Sequence, residues 1–373
     1  MIKTFSLASK IERRRPMKKR ILAALLVFVA LLTGCSRKET TGQWPSQKIE
    51  IDVCYTAGGT ADTVARQLSA LMSQQLSTTF NLVNVTGGSG SIAGQQVYAA
   101  AHDGYTWLGD VAHTVSGWRT LGYADLGWED FYGFYAASSP YVLFVSGNSP
   151  YQTAQQLFDA MRGDPSMKWG NAGLGSINQL TGSLMLEKLG LKGNSVPYDG
   201  GRSAAIKVVA GEVTWSWCGL SDILDLAQSG DIRILGICDS SPREIDCAKG
   251  NYTVPSLLDD YPELSDLQGL LYWGFRVSRD TPADAVAKIR DAFQSTVDSK
   301  EWAQFCQTKG LEPAAIIGTE SDEICAKLES IYAWGLYDAG ISTINPADYQ
   351  IPRIEDFSFP ANDRTAAAQA WPE

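Results

Sequence analysis

The sequence has few of the residues on which many catalytic and nucleic-acid-binding sites depend. Only 2 of its 373 residues are histidines, which leaves little material for a histidine-built zinc site or a catalytic triad. It contains no GxSxG and no CxxC motif, which disfavours a serine hydrolase and a redox or metal site built on paired cysteines. Its 41 acidic and 31 basic residues give a net charge of −10. That charge argues against binding to nucleic acids, whose phosphates need a basic face.

Apolar residues are plentiful by comparison, at 45% of the chain. Intrinsic disorder requires a far lower apolar content, so the chain is expected to fold. A length of 373 residues is sufficient for two domains, each burying a core of its own.

The first 34 residues differ in charge from the rest of the chain. They hold eight basic residues and one acid, so the remainder has 23 basic and 40 acidic residues and a net charge of −17. Lys18-Lys19-Arg20 precedes the apolar run Ile21–Leu32, whose 12 residues would extend only ~18 Å as a helix, short of the ~30 Å core of a bilayer. We therefore predict a signal peptide over residues 1–34, with Met17 as an alternative start.

The end of this segment, Leu32-Thr33-Gly34-Cys35, matches a bacterial lipobox. The match predicts cleavage before Cys35, acylation of its thiol, and a lipid-anchored protein outside the cytoplasmic membrane. The alternative is an ordinary secretory signal in which Cys35 occurs by chance. Residues 35–46 are polar and lack periodicity, which is typical of a flexible linker.

Six further cysteines follow, and a compartment outside the cytoplasm permits disulfides. Two pairs are the simplest candidates because they close short loops, although sequence alone does not fix the pairing. They are Cys238 with Cys247 and Cys306 with Cys325. Cys54 and Cys218 lie in apolar, strand-like runs and could equally be buried free thiols.

Strand-like and helix-like stretches alternate from Lys48 onward. Ile49–Tyr55 alternates with period two, and Asp62–Leu76 carries apolar residues at helical spacing. Repeated strand-helix units predict an α/β fold with mostly parallel sheets and helices on both faces. Residues 343–373 show no period and are predicted to form an irregular C-terminal tail.

Three glycine-rich turns follow predicted strands and precede predicted helices. They are Ala57–Asp62, Gly87–Ser91 and Gly173–Asn178. Such turns bring backbone N–H groups and hydroxyls to a helix N-terminus, which favours an anion. Each turn also has a simpler interpretation, because a strand-helix turn needs glycine and a capping residue merely to fold; Asp62 could be a helix cap.

Gly88–Ala93 fits the dinucleotide fingerprint GxGxxA. The segment follows the second strand rather than the first, and a protein outside the cytoplasm has no access to the cell's dinucleotide cofactors, so no cofactor is expected.

The turns and several later motifs resemble, in order, one family: the substrate-binding proteins of tripartite tricarboxylate transporters, or Bug family. The resemblance spans roughly residues 48–342. Its motifs are Ala57–Asp62, Thr86–Gly94, Asp103–Thr106, Gly170–Asn178, Val196–Gly201, Ala210–Val213, Ser229–Arg233, Thr281-Pro282 and Ala339–Ile341.

The resemblance implies a two-lobed, periplasmic-binding-protein-like fold of type II, a Venus flytrap with a mostly parallel sheet in each lobe. It places residues 47–136 and 270–342 in one lobe and 137–269 in the other. It further implies a monomer with no enzymatic activity, cofactor or metal. Its expected partners are a small carboxylate and the membrane subunits of the transporter, besides the membrane that holds the lipid anchor.

Carried over residue by residue, the resemblance implies a ligand site in the cleft between the lobes. The matching positions are Tyr55, Ala57, Gly58, Gly59, Thr60, Asp62, Asp110, His113, Gly175, Ser176 and Asn178. Asp110 replaces a residue that is commonly small and hydroxylic. An acid there would repel a second carboxylate and suit an ammonium group. Amino acids and monocarboxylates are therefore expected ligands as much as citrate-like ones.

The sequence leaves two interpretations open for Arg202 and for the pair Trp215 and Trp217. Arg202 follows Gly200-Gly201 at a predicted helix start and could reach a carboxylate, although a surface position is simpler. Trp215 and Trp217 share one face of a strand, which is either core or cleft lining. Two other functions also remain open: a sensor subunit that presents ligand to a membrane kinase, and a secreted α/β hydrolase.

Overall fold

The computed structural model describes residues 44–247, 250–268, 271–359 and 370–372. The predicted signal peptide, Cys35 and most of the predicted linker lie outside the described residues. The last linker residues are packed rather than free. Trp44 lies against Tyr105 with ring centroids 5.7 Å apart, and Ser46 N donates to Tyr105 Oη at 2.7 Å. Among the described residues, no helix combines the length and apolarity needed to span a bilayer.

A six-stranded sheet forms the first lobe, which we call lobe 1. Its order is β13-β4-β12-β3-β1-β2. Its strands are β1 (Ile49–Val53), β2 (Phe80–Asn84), β3 (Thr106–Val111), β4 (Phe131–Ser138), β12 (Tyr272–Ser278) and β13 (Glu312–Ile316). Strand β1 runs parallel to β2 and β3, whereas β12 is antiparallel to both β3 and β4. Both ends of the described chain therefore build this lobe.

A five-stranded sheet, of order β7-β6-β8-β5-β9, forms lobe 2. Its strands are β5 (Tyr141–Ser146), β6 (Lys168–Asn171), β7 (Asn194–Pro197), β8 (Trp215–Gly219) and β9 (Ile232–Cys238). Strand β6 is parallel to β7 and β8, and β5 is antiparallel to β8 and β9. A small hairpin of β10 (Arg243–Ile245) and β11 (Tyr252–Val254) follows.

The helices alternate with these strands, so the predicted α/β architecture is confirmed. They are α1 (Thr60–Leu76), α2 (Ser91–Ala99), α3 (Ala154–Gly163), α4 (Ile177–Lys188), α5 (Gly201–Val209), α6 (Leu220–Ser229), α7 (Leu257–Asp260), α8 (Ala283–Val297), α9 (Lys300–Lys309) and α10 (Gly318–Asp338). Helix α1 illustrates the cause: Val64, Leu68 and Met72 recur at helical spacing, and all three are buried.

The sheets are mixed, which corrects the expectation of mostly parallel ones. Every antiparallel pair within the two large sheets involves β4, β5 or β12. These strands flank the points where the chain passes between the lobes, at residues 139–140 and before residue 272. The strand-helix units away from these crossings keep the parallel pairing that the alternation predicts.

Aromatic stacks fill the core of each lobe. In lobe 2, Trp215 stacks on Trp169 and Trp217 on Tyr141, with ring centroids 5.1 Å and 5.3 Å apart. Both strand tryptophans are fully buried, so the core interpretation of Trp215 and Trp217 is confirmed. The irregular tail also packs on lobe 1, because Trp371 Nε1 donates to Asp322 Oδ2 at 3.0 Å.

The six described cysteines are free thiols, which corrects the expected bridges Cys238–Cys247 and Cys306–Cys325. Cys238 and Cys247 form hydrogen bonds with different backbone carbonyls. Cys238 Sγ donates to Leu264 O at 3.6 Å, and Cys247 Sγ donates to Ala227 O at 3.5 Å. Cys306 and Cys325 are buried on separate helices, α9 and α10. Burial raises the pKa of each of these four thiols, so they remain protonated at neutral pH.

Candidate ligand-binding cleft

The cleft between the lobes is formed where two helices begin. After β1, the turn through Gly58 and Gly59 leads into α1 at Thr60. After β7, Gly200, whose φ of 136° favours glycine, leads into α5 at Gly201. A cavity of about 20 Å³ lies between these two turns. It is lined by Tyr55, Thr56, Gly59, Thr60, Ala61, Val111, His113, Ala172, Asn178, Gly200, Gly201, Arg202, Asp222, Leu271 and Trp273.

A carboxylate from lobe 2 occupies the N-terminus of α1 in lobe 1. Asp222 lies in the first turn of α6, and its Oδ1 accepts from Thr60 N at 2.9 Å and from Thr60 Oγ1 at 2.7 Å. The Thr60 hydroxyl also lies 2.8 Å from Ser221 Oγ. The positive end of α1 and a hydroxyl donor are therefore both directed at one carboxylate oxygen.

The second oxygen of Asp222 faces the start of α5. A Cβ added at Gly201 would lie 2.6 Å from Asp222 Oδ2, so this close approach requires glycine. Burial raises the pKa of the Asp222 carboxyl above its ordinary value, and the hydrogen bonds from Thr60 oppose that shift in part. The carboxylate thus lies between the N-termini of two helices.

Five of the sequence-predicted site residues line this small cavity. They are Tyr55, Gly59, Thr60, His113 and Asn178. His113 is buried and stacks near Tyr332, with ring centroids 6.1 Å apart. Asn178 lies in the first turn of α4, and its Nδ2 donates to Trp217 O at 3.3 Å.

The Asp62 carboxylate does not line the cavity. It accepts from Gly58 N at 2.9 Å, from Arg66 Nε at 3.0 Å and from Asn84 Nδ2 at 3.0 Å. Burial raises its pKa, but these hydrogen bonds lower it by more, so the net pKa lies below the ordinary value. Asp62 therefore holds the first turn in place, while Ala57 and Gly58 are exposed on that turn.

Asp110 is also away from the cleft, which corrects its expected position there. It is fully buried in lobe 1, where its Oδ2 accepts from Arg276 Nε at 2.6 Å. Burial raises the pKa of Asp110 to about 6, and the neighbouring guanidinium opposes the rise. The acid that the sequence analysis expected at the cleft is present, but it is Asp222.

The third glycine-rich turn uses its donors internally. Ser176 is the N-cap of α4, since its Oγ accepts from Gln179 N at 3.2 Å. Gly175 N donates to Gln179 Oε1 at 2.6 Å. Neither Gly175 nor Ser176 lines the small cavity, and the contacts described for both support the helix that follows them.

Asp222 was not predicted from the sequence, and the role of Arg202 was left open. Arg202 lines the cavity, and its guanidinium binds Asp225 through two hydrogen bonds, of 2.5 Å and 2.7 Å. The pair Gly200-Gly201 indicates a turn at a helix start and so points to this region of the cleft. Nothing in the sequence assigns Asp222 to the cleft, because an acid in the first turn of a helix is equally well explained by the helix dipole.

A second cavity of about 260 Å³ adjoins the first, and Tyr55 and Ala172 line both. The turn Gly87–Gly90 and residues 173–174 form much of its wall. Here too the lobes touch, because Ser89 Oγ donates to Leu174 O at 2.6 Å. Among the described residues, no cluster of His, Cys, Asp or Glu could hold a metal ion.

Comparison with known proteins identifies the family. Residues 64–326 match the sequence profile described as "Tripartite tricarboxylate transporter family receptor". The chain belongs to this family. The resemblance found in the sequence is thereby confirmed. Because members of the family are receptors, the protein is an extracytoplasmic solute-binding receptor and not an enzyme, which removes the α/β hydrolase alternative.

Two curated relatives show how far the similarity extends. A UPF0065 protein from the tcbD-tcbE intergenic region of a Pseudomonas species is 24% identical over 310 residues, covering 80% of this chain and 87% of that protein. Protein BugT of Bordetella pertussis is 25% identical over 228 residues, covering 59% of this receptor and 69% of BugT.

Solved structures share the fold of this receptor. MatC from Rhodopseudomonas palustris, with bound malate, superposes with a TM-score of 0.67 at 20% identity, covering 79% of this chain and 100% of MatC. A further R. palustris protein, with adipate, gives a TM-score of 0.68 at 22% identity, covering 80% and 99% of the two chains. The periplasmic binding protein BugD gives 0.67 at 21% identity, covering 80% and 99%. The two-lobed periplasmic-binding-protein fold is therefore confirmed.

Proposed function

We propose that the receptor captures a small carboxylate reversibly in the cleft and delivers it to the membrane subunits of a tripartite tricarboxylate transporter. Candidate ligands are tricarboxylates, dicarboxylates, monocarboxylates and amino acids. One observation carries the proposal: Thr60 N and Thr60 Oγ1 already bind a carboxylate oxygen at the start of α1. Two structural neighbours were solved with malate and with adipate, which supports the same ligand class.

Opening of the cleft would admit the ligand. We propose that lobe 1 and lobe 2 move as two units about the two crossings of the chain. The first crossing lies at residues 139–140 rather than at the expected boundary between 136 and 137, because β4 continues to Ser138 in the sheet of lobe 1. Hinged closure around a ligand is a common transition in binding proteins of this shape. Within the cleft, we propose that Tyr55, Gly59, Thr60, His113 and Asn178 face the ligand.

A thermal-shift screen against organic acids and amino acids, followed by calorimetry of the hits, tests the ligand class. Thr60→Ala removes one of the two donors and is expected to weaken a genuine hit by about tenfold or more. Thr63→Ala is the matched control, because the Thr63 hydroxyl, in the first turn of the same helix, donates to the backbone Thr60 O and does not contact Asp222 in the described part of the chain. A hit that is consumed by the protein, or whose affinity is the same in both variants, would contradict the proposal.

We further propose that acylated Cys35 anchors the receptor to a membrane. Cys35→Ser is expected to abolish labelling by radioactive palmitate and to move the protein from the membrane fraction to the soluble fraction. Cys247→Ser, which changes a half-buried thiol of lobe 2, is the control and is expected to keep both properties. Retention of the label in Cys35→Ser would refute the anchor without bearing on the ligand.

A further inference from the structure

The Asp222 carboxylate has the surroundings expected of a bound ligand rather than of an ordinary side chain. It crosses the cleft from lobe 2 to accept two hydrogen bonds from Thr60 in lobe 1. Ser221 and Thr56 add hydroxyl contacts between the lobes, at 2.8 Å to Thr60 Oγ1 and 3.3 Å to Ser203 Oγ. All of these contacts break if the cleft opens.

Asp222 is hydrogen-bonded by neutral groups. Among the described residues, no lysine or arginine side chain bonds to its carboxylate, because the Arg202 guanidinium donates to the Asp225 carboxylate and to the backbone Asp222 O. The nearby Arg202 charge also lowers the pKa of the Asp222 carboxyl, but by less than the hydrogen bonds from Thr60 do. The Thr60 N–H and hydroxyl, at the N-terminus of α1, are the groups that bind it. These are the same groups that would bind the carboxylate of a free ligand.

The space at the start of α1 excludes a second carboxylate. The cavity of about 20 Å³ beside Asp222 is enough for about one water molecule. The adjoining cavity of about 260 Å³ is larger, but Thr60 does not line it. The carboxylate of a ligand such as malate therefore reaches the Thr60 donors only if Asp222 leaves the start of α1.

We propose that Asp222 is an internal competitor for the ligand and determines its affinity and specificity. In the ligand-free protein its carboxylate fills the carboxylate position and holds the two lobes together. A ligand binds by replacing it, so only a ligand whose contacts exceed those of Asp222 is captured. The competition rests on the proposed carboxylate-binding function, whereas the contact between the lobes does not.

The contact is tested first, without any ligand, by hydrogen-deuterium exchange at the Thr60 amide. Asp222→Ala is expected to raise the exchange rate of that amide by about tenfold or more, because a charge-assisted hydrogen bond is removed. Asp231→Ala is the control, since Asp231 is exposed and, within the described parts of the chain, its carboxylate accepts a single local bond, from Ser229 Oγ. An unchanged Thr60 rate in Asp222→Ala would overturn the proposal. Asp222→Asn, which keeps the shape of the side chain and one acceptor oxygen, serves if the alanine variant does not fold by circular dichroism.

The competition is tested by calorimetry with malate and adipate as probes. Asp222→Asn is expected to bind at least one of them about tenfold more tightly than the wild type, and Asp231→Asn to match the wild type. Equal or weaker binding by Asp222→Asn would overturn the competition. If neither probe binds any of the proteins, the carboxylate function fails for these ligands, and the exchange experiment still decides whether Asp222 joins the lobes.

Discussion

Asp52 on β1 is a buried carboxylate that neither carries a hydrogen bond nor takes part in the cleft. It is fully buried, and neither of its oxygens has a hydrogen-bond partner among the described residues. Burial, and after it repulsion from Glu50, raise its pKa from 3.8 to about 6. Asp110, equally buried, has Arg276 beside it, and its pKa is nevertheless also raised to about 6. Both acids therefore cost stability when they ionise, and Asp52 is the one that a neutral side chain can replace without breaking an ion pair.

The free-energy cost of ionising Asp52 in the folded protein predicts the effect of Asp52→Asn on stability. Because the folded pKa lies above the unfolded one, Asp52 favours the folded state at low pH, and this contribution is lost as the pH rises through about 6. We expect the variant to unfold with a free energy about 1–2 kcal/mol higher than the wild type at pH 8, with a much smaller difference at pH 4. Urea denaturation at both pH values measures it. Asp231→Asn should show no such pH dependence, and a gain in stability at pH 4 alone would contradict the assignment.

Local chemistry explains which site residues could be predicted from the sequence. Thr60 and Asn178 follow glycine-rich turns at helix starts, so their neighbours in the chain reveal them. The contact from Asp222 to Thr60 joins positions 162 residues apart, and the ion pair of Asp110 with Arg276 spans 166. Neither pairing leaves a periodicity or a motif, because it exists only once the strands and lobes have come together.

At the scale of elements, strand β12 contains a position at which the sheet of lobe 1 has no room for a side chain. Gly274 lies at a shift in the β12–β4 register, and a Cβ there would lie 1.8 Å from Phe134 O. The backbone of β4 is also paired with β13 on its other side, which restrains it from moving away. The glycine is therefore required by a close approach of two strands rather than by an unusual φ.

We accordingly expect Gly274→Ala to destabilise the protein by about 3 kcal/mol or more, or to prevent folding. Gly163→Ala is the matched substitution, because Gly163 ends α3 with open space around it. It is expected to be neutral or to stabilise the protein by about 0.5–1 kcal/mol. Thermal denaturation of both variants tests the prediction, which would be wrong if the two substitutions had the same effect.

Individual helices and strands could be predicted from the sequence where their apolar residues recur at a regular spacing. The pairing of the strands, parallel or antiparallel, could not. Helix α1 and strand β1 follow directly from the spacing of their apolar residues. The antiparallel pairing of β4, β5 and β12 depends on where the chain passes from one lobe to the other. That passage is a property of the whole fold, so the strand-helix alternation alone predicts too many parallel pairs.

For the whole molecule, closure of the cleft can be fixed covalently. Thr56 Oγ1 in lobe 1 and Ser203 Oγ in lobe 2 lie 3.3 Å apart, so cysteines at these positions would bring two sulfur atoms close together across the cleft. The double variant Thr56→Cys with Ser203→Cys should form the bridge on oxidation and lose binding of malate or adipate by about tenfold or more. Peptide mapping without reductant detects the bridge, and calorimetry with and without reductant measures binding.

The two single cysteine variants control for the loss of each hydroxyl and should bind as the reduced double variant does. The native thiols of the described residues are buried or half-buried, so they compete little for the new bridge. Full binding by a protein shown to contain the bridge would mean that the ligand enters without separation of the lobes at this point.

The place of β12 between β3 and β4 also has a consequence for folding during synthesis. The strands of lobe 2 are complete at Cys238, whereas the sheet of lobe 1 lacks its central joining strand until Ser278 has been added. We therefore expect the sheet of lobe 2 to be completed before that of lobe 1, although lobe 1 contains the first strands of the chain. This order would be the reverse of the usual one, in which the N-terminal part folds first.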